Sequence, residues 1–254
     1  RLRPALASLD PARLARIGEL CRRLDGLPLA IELAAAHVEA LGIDALLAQV
    51  AGQLLRLGTA DADRSLTRHR TLQATLDWSH ALLDADERVV LRRLAVFRGR
   101  FGLESAVQVA VDGQLDTARA MDAVLGLATR SLLTVEASRG AVDYRLLEST
   151  RAYALARLAE AGEVRQVLHR HAAECRDRLG HADVGGLTTG TSRIWADRHG
   201  HLVDDMRAAL DWAVSEDGDP RLAAEIVMAA MPLAGRLTLM NEFGDRLRQV
   251  IGAL

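Results

Sequence analysis

Only once along this chain does the hydrophobic period leave the helical pattern. Leu132-Leu133-Thr134-Val135-Glu136 and Val142-Asp143-Tyr144-Arg145-Leu146 read as strands, joined through Ser138-Arg139-Gly140. A two-stranded hairpin is marginal in water by itself and needs helices to lie on. Helical signals flank it on both sides. Asp84-Ala85-Asp86-Glu87 has the form of a capping box, with Asp in the Ser/Thr position, ahead of Val89, Leu91, Leu94 and Phe97. Further helices fit Leu103 to Val111 and Thr117 to Thr129, and another follows the hairpin. Helices, one hairpin and a closing helix describe a winged helix-turn-helix over 63–165.

The segments on either side are helical throughout. Asp10 is a natural N-cap with Pro11 at the first helical position, and Leu14, Ile17, Leu20, Cys21 and Leu24 follow at helical spacing up to Gly26. Pro28 opens a second helix that runs to Gly42, and a third starts near Asp44. These make a helical lid-like subdomain over 1–62. The polar stretch Gly58 to Arg70 reads as a linker. Beyond 165, helical runs at Ile194–Ala213, Arg221–Leu237 and Asn241 to the end resemble paired-helix, TPR-like repeats, with a Gly/Thr-rich loop at Gly185 to Ser192. The fold expected is therefore mainly α: lid, winged helix, and the start of a repeat domain at 166–254. Half the residues are hydrophobic but only 3% aromatic, so the cores must be built from Leu, Ala and Val.

All 32 basic residues are Arg. Without Lys, no P-loop of the GxxxxGK[ST] form, Schiff base or Lys general base is possible in this segment. Cys21 and Cys175 lack CxxC spacing and suit a reducing cytoplasm as buried thiols. Neither a run of 18 apolar residues nor a signal peptide is present, and both ends read as cuts in a longer protein.

Four blocks carry a family resemblance. Leu20-Cys21-Arg22-Arg23-Leu24-Asp25-Gly26-Leu27-Pro28-Leu29-Ala30 resembles the GLPLA segment of STAND (NB-ARC-type) signal-transduction ATPases, a class that includes the large actinobacterial LuxR-type and antibiotic-regulator proteins. Arg68-His69-Arg70-Thr71-Leu72-Gln73 resembles the entry to their winged helix, and Tyr144-Arg145-Leu146-Leu147-Glu148-Ser149-Thr150-Arg151 its exit. Met206-Arg207-Ala208-Ala209-Leu210-Asp211-Trp212 is similar to the first repeat helix of the bacterial members.

The resemblance implies a nucleotide-gated switch controlling transcription. ATP or ADP would sit on an upstream nucleotide-binding domain of the same chain, with a protein or small-molecule effector on the repeats. DNA would be met only through other domains, no membrane would be involved, and the activated state would be able to oligomerise. Pro28, with Gly26 and Leu27, would lie beside the adenine, since a Pro opening a helix offers a rigid apolar wall at a helix N-terminus. Taken alone, the same three residues make an ordinary joint between helices. Arg70, Leu147 and Glu148 fall at switch positions between domains. Relatives with a Met-His-Asp motif place a His at the position held here by Leu147, which has no hydrogen to donate to a phosphate.

Rival readings remain. A winged helix suggests DNA, with Thr117–Thr129 as the recognition helix, but Arg119 is its only cation and Asp122 opposes it. DNA readers neutralise several phosphates, whereas 63–165 carries 15 Arg against 14 acids. Arg88, Arg92, Arg93, Arg98 and Arg100 form a local basic run that fits a solvated or interdomain face. His171 and Cys175 share a helix face with His169 nearby, but no second ligand pair supports a metal. Trp78, Trp195 and Trp212 fit core positions. No catalytic residue is expected in this segment, leaving a winged-helix DNA-binding factor or a helical-repeat scaffold as the alternatives.

Overall fold

A computed structural model describes residues 10–56, 64–138, 141–181, 202–236 and 239–253. Helices dominate. The first three are α1 (Pro11–Arg23), α2 (Pro28–Leu41) and α3 (Ile43–Arg56). At the start of α1 the Asp10 carboxylate accepts from the Ala12 amide at 3.3 Å, with Pro11 at N1 as expected. The α1–α2 joint is tight because Asp25 and Gly26 both adopt positive φ, 52° and 66°, which a short polar side chain and a glycine tolerate. Leu20, Leu24, Ala30, Ala34 and Val50 form the buried core of this unit.

Helix α4 (Arg64–Ala81) begins inside the stretch expected to be a linker. Its first two turns contain a single apolar residue, Leu66, so no apolar stripe marked Arg64–Arg70 as helix. The rest of the expected linker lies outside the described residues.

The winged helix follows: α5 (Ala85–Leu94), β1 (Phe101–Gly102), α6 (Leu103–Ala110), α7 (Thr117–Thr129), β2 (Thr134–Ser138), β3 (Ala141–Arg145) and α8 (Glu148–Glu160). The capping box at α5 is complete. Asp84 accepts from the Glu87 amide at 2.8 Å, and Glu87 accepts from the Asp84 amide at 3.1 Å. The hairpin pairs Val135 with Tyr144 and Ala137 with Val142, antiparallel. A third strand, not anticipated, adds Phe101 opposite Tyr144, giving the order β1-β3-β2. Two residues are too few to show an alternating period. Phe101 is fully buried, stacks on Phe97 with ring centroids 4.4 Å apart, and thereby pins the strand.

Helix α9 (Val164–Gly180) leads into α10 (Leu202–Ala213), α11 (Pro220–Arg236) and α12 (Met240–Ala253). The Gly185–Ser192 loop, Trp195 and residues 194–201 of the expected helical run lie outside the described residues. Helix α9 serves two cores. Val167 joins the winged-helix core of Leu91, Leu94, Phe97, Val124 and Leu127, while Ala172, Cys175 and Leu179 join that of Met206, Leu210, Ile226 and Phe243. The first helical unit reaches the winged helix in the same way, because Leu33 of α2 is buried in its core together with Leu76 of α4. No helix among the described residues is long and apolar enough to cross a membrane.

Candidate functional site

A winged helix presents the helix after its turn, here α7, and the wing. Ala120, Ala123, Val124 and Leu127 face inward along α7, a 3–4 spacing that fixes which residues face out. The outward set is Thr117, Ala118, Arg119, Met121, Asp122, Leu125 and Thr129. Met121 is 38% exposed and Leu125 47%. This surface mixes apolar and small polar side chains with one acid and one cation. Arg119 is drawn sideways: its Nε and Nη2 grip Asp86 at 2.8 and 2.5 Å, and Nη1 donates to the Gln114 carbonyl. Arg130 donates at 2.5 Å to Glu87, the acid of the capping box. On the wing, Arg100 and Arg145 both pair with Glu136, at 3.0 and 2.9 Å, while Val135 and Val142 are half exposed.

Arg88, Arg92, Arg93 and Arg100 of the basic run are likewise engaged within the molecule, whereas the Arg98 side chain is exposed. Arg88 donates to the His80 and Ala81 carbonyls at the end of α4, where a cation meets the negative end of the helix. Arg92 binds Glu163 through two hydrogen bonds of 3.0 and 2.8 Å. Arg93, almost wholly buried, donates to Glu163, to Asp112 at 2.5 Å and to the Ala110 carbonyl at 2.6 Å. Burial works against the charge on Glu163, but the two guanidinium forks outweigh it and hold its carboxyl down to about 2. Asp112 is held low in the same way, against burial, by Arg93 and by the Gln114 and Leu115 amides. These side chains tie α5, the α6–α7 turn and the α8–α9 joint together, a structural network rather than a phosphate-binding face.

The residues expected beside a nucleotide sit at the α1–α2 joint. Gly26 and Pro28 are exposed and Leu27 is half buried, with Pro28 at the first position of α2 and no side-chain cap before it. The joint is braced against α4 by Thr71, which donates to Asp25 at 2.6 Å. Arg70 is exposed on the preceding residue of α4. At the other expected switch position, Leu147 is the N-cap residue of α8 without a side-chain bond, and exposed Glu148 accepts from Arg151 at 3.0 and 2.7 Å. That bond lowers the Glu148 pKa below its usual value. Among the described residues no hydrogen bond or ion pair joins Gly26, Leu27 or Pro28 to Leu147 or Glu148. Helix α4 lies between the two sites: Trp78 donates to Gln49 of α3 at 2.5 Å, and Asp77 accepts from Tyr153 of α8 at 2.9 Å.

No three His, Cys, Asp or Glu side chains gather as metal ligands among the described residues. His169 stands edge-on to Trp212 at 5.9 Å, while His171 is buried and turned away from it, toward Phe97. A cleft of about 740 Å³ lies beside His169 and Trp212. Its walls hold Arg165 and Arg170 against Asp217 and Asp219, a balance of charge that singles out no ligand class.

Residues 83–159 match the family described as the winged helix-turn-helix domain. This segment is a winged helix-turn-helix domain. The chain is 35% identical over 227 residues to proteins of Mycobacterium bovis and Mycobacterium tuberculosis that carry the provisional name HTH-type transcriptional regulator (Mb0914c and Rv0890c). It is 44% identical over 156 residues to an uncharacterized protein of Mycobacterium tuberculosis, Rv0894. The first similarity covers 86% of this chain but only 24% of the relatives, and the second 61% of this chain and 39% of the relative. The chain thus corresponds to about a quarter of the regulators it resembles.

Proposed function

We propose that this chain is the regulatory and sensor segment of a larger, nucleotide-switched transcriptional regulator of the cytoplasm, and that its winged helix contacts protein rather than DNA. The observation that carries the second half is the outward face of α7. A helix reading the major groove needs cations to neutralise phosphates and polar forks to read bases. Here the exposed face offers Ala118, Met121, Asp122 and Leu125 with a single cation, Arg119, which is spent on Asp86 as the neighbouring Arg130 is on Glu87. Such a surface suits the apolar core of a protein interface. The regulator names of the mycobacterial relatives support the transcriptional role, and the nucleotide switch rests on the resemblance carried by the sequence blocks. In this reading lid and winged helix pack on an upstream nucleotide-binding domain, the Gly26-Leu27-Pro28 joint walls the adenine of bound ADP, and a signal on the repeats shifts the balance toward an open, ATP-bound, assembling state. The segment itself performs no chemistry.

A second reading, a DNA-binding winged helix, is favoured by the domain family and by those same names. One experiment separates them. Fluorescence anisotropy of the 254-residue chain is titrated against a set of promoter duplexes at about 150 mM salt, a condition at which specific readers bind at nanomolar concentrations. The expected result is no sequence-dependent binding below a micromolar; sub-micromolar, sequence-dependent affinity establishes the DNA reading instead.

A further inference from the structure

The seam between the winged helix and the repeat helices contains a buried charge cluster that neither core explains. Asp205 of α10 is completely buried. One carboxylate oxygen accepts from the backbone amides of Arg98 and Gly99, at 2.6 and 3.4 Å, in the turn between α5 and β1 of the winged helix. The other accepts from Arg178 of α9 at 3.0 Å. His171, also completely buried, lies 3.6 Å from Asp205 and turns its ring edge-on to Phe97, at a centroid distance of 5.0 Å. Arg178 in turn reaches Glu174, buried on the same helix, at 3.5 Å. Three elements from both sides of the seam thus meet on one carboxylate.

Taking a carboxylate out of water costs several kcal/mol and is offset only where its partners are well placed. Asp205 meets that condition. Burial opposes its charge, and His171, Arg178 and the Arg98 amide together outweigh burial and keep its pKa below the usual range. The rest of the cluster does not meet it. Among the described residues four buried atoms make no well-formed hydrogen bond: Nδ1 of His171, one carboxylate oxygen of Glu174, and Nε2 of His171 and Nε of Arg178, which stand only within loose ion-pair distance of Asp205 and Glu174, at 3.6 and 3.5 Å. A cluster that merely filled a core would be fully bonded or replaced by apolar side chains. This one is strongly held at a single point and under-satisfied around it. Such an arrangement has low resistance to rearrangement once that point is lost.

We propose that Asp205 is the pin of an interdomain latch, through which the first repeat helix holds the α5–β1 turn of the winged helix and through which a displacement of α10 is passed to it. The latch is independent of whether the winged helix meets protein or DNA. Its use in signalling rests on the regulatory reading above, whereas its existence is read from coupling between the two cores.

The test uses the whole 254-residue chain and Asp205→Asn, which keeps an acceptor for the Arg98 amide and removes the charge that holds Arg178. The wild-type protein is expected to melt the winged-helix and repeat cores in one calorimetric transition, with slow amide exchange in α5–α7 and in α10–α11. In Asp205→Asn the repeat core melts first as a separate transition, and exchange in α10–α11 rises at least tenfold while α5–α7 keep their protection. Arg178→Gln gives the same split by removing the second partner. Arg98→Ala leaves the single transition intact, because only its backbone amide takes part. A single unchanged transition in Asp205→Asn refutes the latch. A single lowered transition with protection lost equally in both cores also refutes it, since Asp205 is then ordinary core; if Asp205→Asn does not fold, the Arg178→Gln result decides between the same two outcomes.

Discussion

Replacing Glu163 by Gln removes the acid on which Arg92 and Arg93 converge. Its side chain is only 20% exposed and that of Arg93 6%, so solvent screens the contacts weakly. A carboxyl whose pKa falls from about 4.5 to about 2 on folding carries roughly 3 kcal/mol of linkage at neutral pH, at about 1.4 kcal/mol per unit. Part of this is shared with Asp112, which keeps its own bond to Arg93, so the expected loss for Glu163→Gln is about 2–3 kcal/mol. In a chain of this length that lowers the melting temperature by about 4–12 °C. The sign with pH follows from the depressed pKa. The stabilisation is fully present above about pH 4.5 and disappears as pH falls through about 2, so the gap between wild type and variant closes across that window. Urea unfolding at pH 7, 4 and 3 measures it, followed at each pH by intrinsic tryptophan fluorescence. A difference below about 0.5 kcal/mol at pH 7, or one that does not shrink on acidification, refutes the claim that the network staples α5 to the α8–α9 joint.

Two cheaper perturbations probe other parts of the site. Gly126→Ala gains about 1 kcal/mol of helix propensity, but the new methyl runs into the Glu87 carboxylate, which is buried and engaged with Asp84 and Arg130; a net loss of about 1–3 kcal/mol by chemical denaturation is expected, and a neutral or stabilising result contradicts this packing. Cys175 is buried and its thiol is pushed up by that burial, so a thiol reagent should modify only half-buried Cys21 in the folded protein and reach Cys175 on addition of denaturant.

What was legible in the residues was what is local. The capping box at Asp84, the N-cap at Asp10, the helix over Thr117–Thr129 and the hairpin each follow from spacings of four residues or fewer, and each is found. The lone Arg119 in the candidate reading helix was visible too, though not that Asp86, thirty-three residues earlier, holds it. The Arg88–Arg100 run could be read only as a solvated or interdomain face, because the acids that pair with Arg92, Arg93 and Arg100 lie at Glu163, Asp112 and Glu136, far along the chain. β1 left no period to detect, and the first turns of α4 resembled a linker because helices without an apolar stripe lack the usual signal. Asp205 gave no hint in the sequence, where it is one of two adjacent acids in a helix; only packing separates buried Asp205 from exposed Asp204.

The sharing of α9 between two cores has a mechanical consequence. Seventeen helical residues make a rod of about 25 Å. Held at one end by Val167 in the winged helix and at the other by Cys175 and Leu179 among the repeats, it has no slack to absorb a movement at either end. A tilt of about 5° applied at the repeat end sweeps the far end by about 2 Å, comparable to the helix displacements that reset subunit contacts in allosteric proteins. Arg170, whose Nε bonds the Val109 carbonyl at 2.8 Å, rides on this rod and would drag the end of α6 with it. The C-terminal helices are joined to the winged helix by a lever arm.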